Sequence, residues 1–266
     1  MKRIIFTIIL ILAIVFLYGH YIEINNIKTH EYVIKNESIP DAFNELKIVH
    51  FSDILYNKNS EKLVNIRKKI NQENADVIIF SGDLFKSGIN YQEEDYNMLK
   101  KFLSSMDAEL FKFAVIGDND LAYLDQYKSI LEASNFILLD NDYKLLFYKD
   151  ITPINIIGLT DTTSNLEHLF THEVDYNYTL AIMHKPDNIN NLNKYKIDTV
   201  LSGHSLGGVI NLPFYGGIMT KDGAKKYVNE YYLVNNTELY ISNGLGNEVN
   251  YRLFNTPSYN VYRFSN

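Results

Sequence analysis

Five hydrophobic runs in this chain each stop at an aspartate or a histidine. The runs are short, rich in β-branched residues and bounded by glycine or polar residues, which is typical of buried strands. Side chains that follow the carboxyl ends of parallel strands meet at one edge of a sheet, where ligands bind. Carboxylates and imidazoles delivered there from separate strands are suitable ligands for a divalent metal ion. The residues at which the runs stop are Asp53, Asp83, Asp118, His184 and His204.

The pattern over residues 46–133 predicts alternating strands and helices. Apolar residues recur at helical spacing after each of the first three predicted strands, and this alternation is typical of parallel strands joined by right-handed crossovers. Strands dominate from residue 136 onward, with one helical stretch expected near 188–195. We therefore expect a single layered α/β domain. The three predicted helices are 61–74, 91–106 and 124–133.

Composition excludes several classes of protein. The 266 residues are 46% hydrophobic and 21% charged, which provides for a large core and argues against disorder. A formal net charge of −7 disfavours nucleic-acid binding, which needs a basic surface. Because the chain contains no cysteine, disulfides, thiolate metal sites and cysteine nucleophiles are excluded.

The N-terminus is predicted to be a membrane anchor. Lys2 and Arg3 precede an uncharged, mostly apolar run that reaches Ile22, a length marginally able to cross a bilayer. The basic start favours a single-pass protein of the cell membrane with its domain on the extracellular side. A cleaved signal peptide and a buried helix are the alternatives. The first lacks a small-x-small cleavage site, and the second is disfavoured because the run is apolar on every side.

This interpretation divides the chain into three parts. Residues 1–22 form the signal anchor, and 23–45 form a juxtamembrane connector with the first strand. Residues 46–266 form the domain that carries the candidate ligands.

Five short segments around the candidate ligands resemble, in their order along the chain, the motifs of the calcineurin-like metallophosphoesterases. The resemblance is to the bacterial membrane-anchored branch in particular, and it covers roughly residues 24–264. It implies a four-layer α/β/β/α sandwich with two metal sites that share one carboxylate and activate a hydroxide for phosphoester hydrolysis. The segments are Ser52-Asp53-Ile54-Leu55, Gly82-Asp83, Gly117-Asp118-Asn119-Asp120, His184-Lys185-Pro186-Asp187 and Gly203-His204-Ser205-Leu206.

By this resemblance, one metal site keeps all of its ligands and the other has lost half of them. The second site keeps Asp53 and the shared Asp83, but its other two positions are Leu55 and Leu206, which offer no lone pair. The resemblance therefore implies one tightly held divalent ion, of Mn, Zn or Fe, and leaves room for a weakly held second ion. The ligands of the complete site are Asp83, Asp118, His184 and His204.

The resemblance also assigns catalytic roles to two further side chains. Asp53 is expected to position or deprotonate a water molecule. Asn119 stands where the family has a histidine, so it can donate a hydrogen bond to phosphate but cannot act as a general acid at neutral pH. One divalent ion facing Asp53, Asp83 and Asp118 leaves a net charge of about −1, which disfavours binding of a phosphate dianion.

Two functions from different classes follow. The first is a membrane-anchored metallophosphoesterase that acts on a phosphoester-containing small molecule or lipid, with hydrolysis weakened or lost. The second is an inactive pseudo-phosphoesterase that binds a metal, a ligand or a protein partner that the sequence does not identify. An esterase is disfavoured, although Gly203-His204-Ser205-Leu206-Gly207 fits a nucleophile-elbow pattern, because no histidine follows His204 to serve as the base.

Overall fold

Strands and helices alternate through the part of the chain that the computed structural model describes, residues 1–160 and 162–266. The α-helices are α1 (Lys2–Leu17), α2 (Ser60–Gln72), α3 (Glu93–Ser104) and α4 (Leu124–Ala133). The strands of the first half are β1 (Lys28–Lys35), β2 (Lys47–Phe51), β3 (Ala75–Phe80), β4 (Ala108–Ala114), β5 (Ile137–Leu138), β6 (Asp142–Leu146) and β7 (Ile154–Leu159). Those of the second half are β8 (Thr179–Met183), β9 (Thr199–Ser202), β10 (Asn211–Leu212), β11 (Gly216–Gly217), β12 (Tyr231–Val234), β13 (Thr237–Ile241) and β14 (Ser258–Ser265).

The strands form two large sheets and a short hairpin. Within the described ranges, the first sheet has the order β1-β14-β2-β3-β4-β5 and the second β12-β13-β9-β8-β7-β6, while β10 and β11 pair with each other. Strands β2, β3 and β4 are parallel, as the alternation over residues 46–133 predicts. Strands β7, β8, β9 and β13 are parallel as well, so each sheet directs several strand ends toward one edge.

The two sheets pack face to face. Side chains of β8 alternate: Leu180 and Ile182 point into the core between the sheets, and Ala181 and Met183 point to the outer face. This period of two explains why β8 is apolar throughout, since both faces of its sheet are covered. Helices α2, α3 and α4 cover the outer face of the first sheet, and the predicted sandwich is confirmed.

The layer outside the second sheet consists of short 3₁₀ helices. They are Glu167–Leu169 and Pro186–Asn191, and they bury Leu169 and Ile189 against the sheet. The helical stretch expected near 188–195 is thus shorter and begins earlier. Its asparagines have low helix propensity, so the segment forms only a short helix.

Helices α2 and α4 match the predicted ranges closely. Helix α2 begins after Asn59, whose side chain accepts a hydrogen bond from the backbone of Lys62, and it buries Leu63, Ile66 and Ile70. Burying three such aliphatic side chains contributes roughly 5–9 kcal/mol relative to leaving them exposed.

The N-terminal segment ends in close contact with the domain. Among the described residues, one helix, Lys2–Asn25, is long and apolar enough to span a membrane, and the side chains of α1 are exposed almost throughout. Gly19 packs so closely on the backbone of Arg252 that no side chain would fit there. The buried carboxylate of Glu23 accepts hydrogen bonds from the backbone of Phe254 (3.0 Å) and Asn255 (2.8 Å).

Candidate metal centre

All five predicted ligands follow the carboxyl ends of strands from the two sheets, with Asp118 four residues after β4. Asp53 comes after β2 and Asp83 after β3 in the first sheet, while His184 follows β8 and His204 follows β9 in the second. Asp53, Asp83 and His204 have a positive φ (50°, 64° and 67°), so the backbone leaves the extended conformation at each of these residues. The candidate centre therefore lies at the edge where the two sheets meet.

Asp83, His184 and His204 form a tight group of buried metal-ligand side chains, with one potential ligand atom from each lying within 4.8 Å of the others. The Nε2 atom of His184 is 3.2 Å from Oδ2 of Asp83 and 3.1 Å from Nδ1 of His204. Ligand atoms about 2.0–2.2 Å from a metal ion, at tetrahedral or octahedral angles, lie about 3.0–3.4 Å apart. The spacing of these three side chains fits a single metal ion.

Backbone carbonyl groups fix the orientation of both imidazole rings. Nδ1 of His184 donates a hydrogen bond to the carbonyl of Ser81 (2.7 Å), and Nε2 of His204 donates to that of Asp222 (2.7 Å). Each ring thus presents its other nitrogen to the facing ring. Two nitrogen lone pairs at this distance repel each other unless a proton is shared between them or both bind one metal ion. Hydrogen bonds that fix which ring nitrogen is protonated, as the two carbonyl groups do here, are a feature of metal-binding histidines.

The pKa values of the group reflect its burial and close packing. Burial opposes protonation of His184, but the carboxylates of Asp83 and Asp53 outweigh it and raise the pKa of His184 to about 9. Burial and the neighbouring charge of His184 lower the pKa of His204 to about 2. The pair therefore holds one positive charge between its rings and does not hold two.

Asp53 lies beside this group and is fully buried. Its Oδ2 accepts a hydrogen bond from the backbone N–H of His204 (2.9 Å), whereas its Oδ1 has no hydrogen-bond partner among the described residues. Burial raises the pKa of Asp53, and the charges of His184 and Lys221 act against this effect. An unpartnered buried carboxylate oxygen is costly, so Oδ1 is suited to accept from water or to bind a cation.

Asp118 lies outside the group of three. Its side chain is partly exposed and forms an ion pair with Lys185 (2.8 Å). Asn119, the next residue, binds Asp83 through its backbone N–H (2.8 Å to Oδ1) and its side-chain amide (2.7 Å to Oδ2). The segment thus fixes the orientation of Asp83 through Asn119, while the carboxylate of Asp118 faces a lysine.

Two charged residues that are not among the predicted ligands also shape the centre. The buried carboxylate of Asp120 accepts from the backbone of Asp83, Leu84, Phe85 and Gly117, which fixes the turn that carries Asp83. Lys221 is mostly buried, pairs with Glu248 (2.7 Å) and interacts electrostatically with Asp53 and Asp83. Neither residue belongs to a strand-end pattern, although Asp120 lies in the quoted Gly117–Asp120 segment.

The two leucines at the expected second metal site pack against each other. Leu55, Leu206 and Val209 form a separate buried apolar cluster, with Ile210 packed against it. Nearby, the hydroxyl of Ser205 donates to the carbonyl of Val228 (3.0 Å) and is 2% exposed, so it is not presented as a nucleophile. This part of the site is apolar.

The fold and the candidate centre define a class of protein: a two-sheet α/β sandwich with a metal-ligand group at the common edge of its sheets. The model of the calcineurin-like phosphoesterase family matches residues 46–208. The match covers more than half of the chain, and the chain belongs to the calcineurin-like phosphoesterase family.

Individual relatives agree with this assignment. The uncharacterized metallophosphoesterase YkuE of Bacillus subtilis is 31% identical over 236 residues, which are 86% of this chain and 82% of the relative. The UDP-2,3-diacylglucosamine pyrophosphatase LpxG of Chlamydia muridarum is 26% identical, over 82% of this chain and 83% of its own. The structure of TT1561 of Thermus thermophilus superposes with a TM-score of 0.50 at 13% identity, over 75% of this chain and 89% of that one, a likeness of fold alone.

Proposed function

We propose that this protein is a membrane-anchored metallophosphoesterase that holds one divalent ion tightly and hydrolyses phosphoesters weakly or not at all. The observation that carries the proposal is the pair of imidazole nitrogens that face each other at 3.1 Å beside Asp83. A carboxylate with two imidazoles is a donor set that suits Mn, Zn or Fe. Asp118 is the candidate for the fourth ligand, although its Oδ2 forms an ion pair with Lys185.

The chain's own residues would divide the remaining work. A divalent ion bound here would polarise a phosphoryl oxygen and lower the pKa of a bound water. Asp53, with its free Oδ1, would accept a hydrogen bond from the attacking water. The side-chain amide of Asn119 uses one N–H on Asp83 and retains a second that can donate to a phosphate oxygen.

The apolar second site is the reason to expect weak catalysis. Two-metal phosphoesterases stabilise both the attacking and the leaving oxygen, and the cluster of Leu55, Leu206 and Val209 supplies no ligand for the second ion. A second ion could bind only loosely, through Asp53, Asp83 and water. With Asp118 paired to Lys185, one divalent ion balances the charges of Asp53 and Asp83, so the centre has little positive charge left to attract phosphate.

Residues 1–22 would be the membrane anchor. The exposed apolar surface of α1 supports this assignment, and Lys2 and Arg3 favour a cytoplasmic N-terminus with residues 46–266 on the outer side. The substrate class would then be an extracellular or membrane phosphoester. The pyrophosphatase relative named for UDP-2,3-diacylglucosamine is consistent with a phosphoester that carries acyl chains.

The second candidate function is that of a pseudoenzyme. Here the centre would hold its ion for structure or for binding a ligand, and no turnover would occur. Both remaining ligand positions of the second site are leucine, and the two leucines belong to one apolar cluster. This joint replacement favours the pseudoenzyme, because random drift of the site would not be expected to produce a packed pair.

Metal analysis of the purified full chain tests the metal site. We expect close to one equivalent of metal per chain, and His204→Ala should lose most of it because the group of three then has only two ligands. The matched control is His168→Ala, since His168 is an exposed histidine away from the centre. Retention of metal by His204→Ala would overturn the assignment of the site.

Turnover separates the two candidate functions. The same preparation is assayed with phosphomonoesters, phosphodiesters and pyrophosphate-linked lipids in the presence of Mn²⁺. Hydrolysis that is lost in both Asp83→Asn and His204→Ala identifies an enzyme. Metal binding without turnover on the whole panel identifies the pseudoenzyme.

A further inference from the structure

A hairpin next to the candidate metal centre has an exposed apolar tip. Strands β10 and β11 are joined by a turn in which Phe214 is fully exposed and Tyr215 is 80% exposed. Just after β11, Ile218 and Met219 are also about half exposed. Adjacent exposed apolar side chains of this size mark a surface that another phase or molecule covers.

The hairpin is directly connected to the end of the candidate membrane helix. The backbone of Asn211 donates to the carbonyl of Leu253 (3.0 Å), and Ile210 forms a bridge with the same residue. The neighbouring Arg252 donates from its backbone to the carbonyl of Gly19 (3.3 Å). One extended segment thus holds the hairpin on one side and the last turns of the apolar helix on the other.

Aromatic residues continue from the hairpin to the helix end. Phe254 is exposed beside the segment that joins the two, and Tyr18 and Tyr21 are exposed on the last turns of the helix. Tyrosine and other aromatic residues are enriched at the level of the lipid headgroups, where one end of the side chain is apolar and the other is wet. We call Tyr18, Tyr21, Phe214, Tyr215 and Phe254 the aromatic rim.

We propose that the tip of this hairpin inserts into the interfacial layer of the bilayer that the N-terminal helix spans. The inference rests on the proposed anchoring. Gly19 and Glu23, near the end of the helix, contact the backbone of Arg252 and Phe254, so a helix that spans the bilayer would hold the aromatic rim near the depth where it leaves the membrane. A bilayer is the occupant that the geometry favours, since the backbone of residues 252–253 connects the hairpin to the end of the apolar helix and both carry exposed aromatic side chains. Because the net charge of the chain is −7, we expect the affinity of the hairpin for the bilayer to come from insertion of apolar side chains and not from attraction to anionic lipid.

This placement narrows the substrate class. The backbone of Met219 donates to Gly208 (3.0 Å) in the turn that carries Leu206, and Asp222 a few residues on orients His204. Docking of the hairpin would therefore hold the candidate centre beside the membrane surface. The substrate that fits such a centre is a phosphoester presented at that surface, in preference to one free in solution.

Single tryptophans test the inference cleanly, because the chain contains no tryptophan of its own. Phe214→Trp and, separately, Tyr215→Trp are introduced into the full chain and reconstituted into phosphatidylcholine–phosphatidylglycerol vesicles. We expect blue-shifted emission that loses intensity when the acyl chains are brominated. Emission typical of exposed tryptophan, quenched by aqueous iodide and not by brominated lipid, would overturn the inference and point to a protein partner for the hairpin.

Two further variants make the outcome unambiguous. Ile151 lies in the exposed turn before the amino end of β7, whereas the candidate centre lies at the carboxyl ends of the parallel strands, so Ile151→Trp should respond to iodide alone. Ile9→Trp lies in the middle of α1 and should be quenched by brominated lipid if the helix spans the bilayer. If Ile9→Trp responds and Phe214→Trp does not, the hairpin inference fails while the anchoring stands. If Ile9→Trp does not respond, the anchoring itself fails.

Discussion

Leu55 and Leu206 have a backbone conformation that leucine rarely adopts. Their φ angles are 44° and 48°, in the left-handed region, which costs a residue with a branched side chain roughly 1–2 kcal/mol. Asparagine, aspartate and histidine are several-fold enriched there, and the ligand-type residues Asp53, Asp83 and His204 share the same conformation. At these two positions the backbone therefore already has a conformation that histidine tolerates better than leucine.

The first prediction concerns histidine at both positions. Leu55→His combined with Leu206→His should raise the metal content from about one equivalent to about two per chain, because the backbone already adopts a conformation that histidine tolerates. The measurement is metal stoichiometry after dialysis. As a control, Leu121→His with Leu233→His changes two exposed leucines and should leave the content unchanged. A double variant at positions 55 and 206 that binds no more metal than the wild type would show that these positions do not flank the centre.

The second prediction concerns Asp120. The carboxylate of Asp120 accepts hydrogen bonds from backbone N–H groups on both of its oxygens. Asp120→Asn replaces one of these oxygens by an amide NH₂ group, so a donor then faces a donor. We expect a loss of about 2–3 kcal/mol in the free energy of unfolding, as for a buried charge-assisted hydrogen bond. We also expect weaker metal binding, because the turn that carries Asp83 loosens. Denaturant titration measures the first effect, with Asp125→Asn on the exposed surface of α4 as control; equal stability of the two variants would contradict it.

At the scale of elements, the segment that follows α1 is an integral part of the domain. The buried carboxylate of Glu23 satisfies two backbone N–H groups of the 254–255 loop, so it joins the apolar helix to the segment that also holds the hairpin. In Glu23→Ala these donors lose their acceptor, and each unsatisfied buried group costs about 1–3 kcal/mol. We expect faster amide hydrogen exchange in 250–256, measured by mass spectrometry, with Glu37→Ala at an exposed position as control. Unchanged exchange in Glu23→Ala would mean that Glu23 does not hold this loop.

The sequence predicts the elements well where their apolar pattern is complete. Strands β7 and β9 and helix α4 begin and end with their runs of apolar residues. In each of them the buried faces are those that the spacing of the apolar residues indicates. Strands β1 and β12 are edge strands in which exposed and partly buried residues mix, so their pattern is weak. The pairing of β1 with β14 joins residues more than 200 positions apart, which no local pattern encodes.

The candidate centre is predictable in part for the same reason. His184 follows β8 directly, and Asp83 and His204 lie within three residues of the ends of β3 and β9, so the strands largely determine where these side chains lie. Asp118 precedes the 3₁₀ helix Asn119–Tyr123, in which Asp120 is buried, and its side chain pairs with Lys185, a contact that no strand pattern predicts. The carbonyl groups of Ser81 and Asp222 orient both imidazoles, but every residue has a carbonyl, so the sequence gives no sign of their role.

At the scale of the whole molecule, the centre joins the two sheets. Asp83 comes from the first sheet and both histidines from the second, so an ion bound between them would connect the two halves of the sandwich. An ion that binds the folded state and not the unfolded state would raise the free energy of unfolding of the whole domain. The increase is about 2.7 kcal/mol when the concentration of free ion is a hundred times its Kd. An ion at this location would therefore contribute to stability whether or not the protein turns over a substrate.

His50 makes the stability of the whole molecule depend on pH. It lies in the central strand β2, fully buried, with Nε2 2.8 Å from the hydroxyl of Ser81 and Nδ1 3.3 Å from that of Tyr262. Burial lowers the pKa of His50 to about 3, whereas in the unfolded chain a histidine has its ordinary pKa of about 6.5. Between these two values only the unfolded state takes up the proton, so the contribution of His50 to stability is complete above pH 6.5 and is lost as the pH falls toward 3.

The size of this effect can be measured against a variant. From pH 6.5 to pH 5 the wild-type free energy of unfolding should fall by about 1.5 kcal/mol more than that of His50→Gln, since glutamine does not titrate and can still bond the two hydroxyls. Urea titrations of the detergent-solubilised full chain across this range give both slopes. His168→Gln removes an exposed histidine and should keep the wild-type slope. Parallel slopes for the wild type and His50→Gln would contradict the prediction. They would mean that His50 takes up a proton as easily in the folded protein as in the unfolded chain.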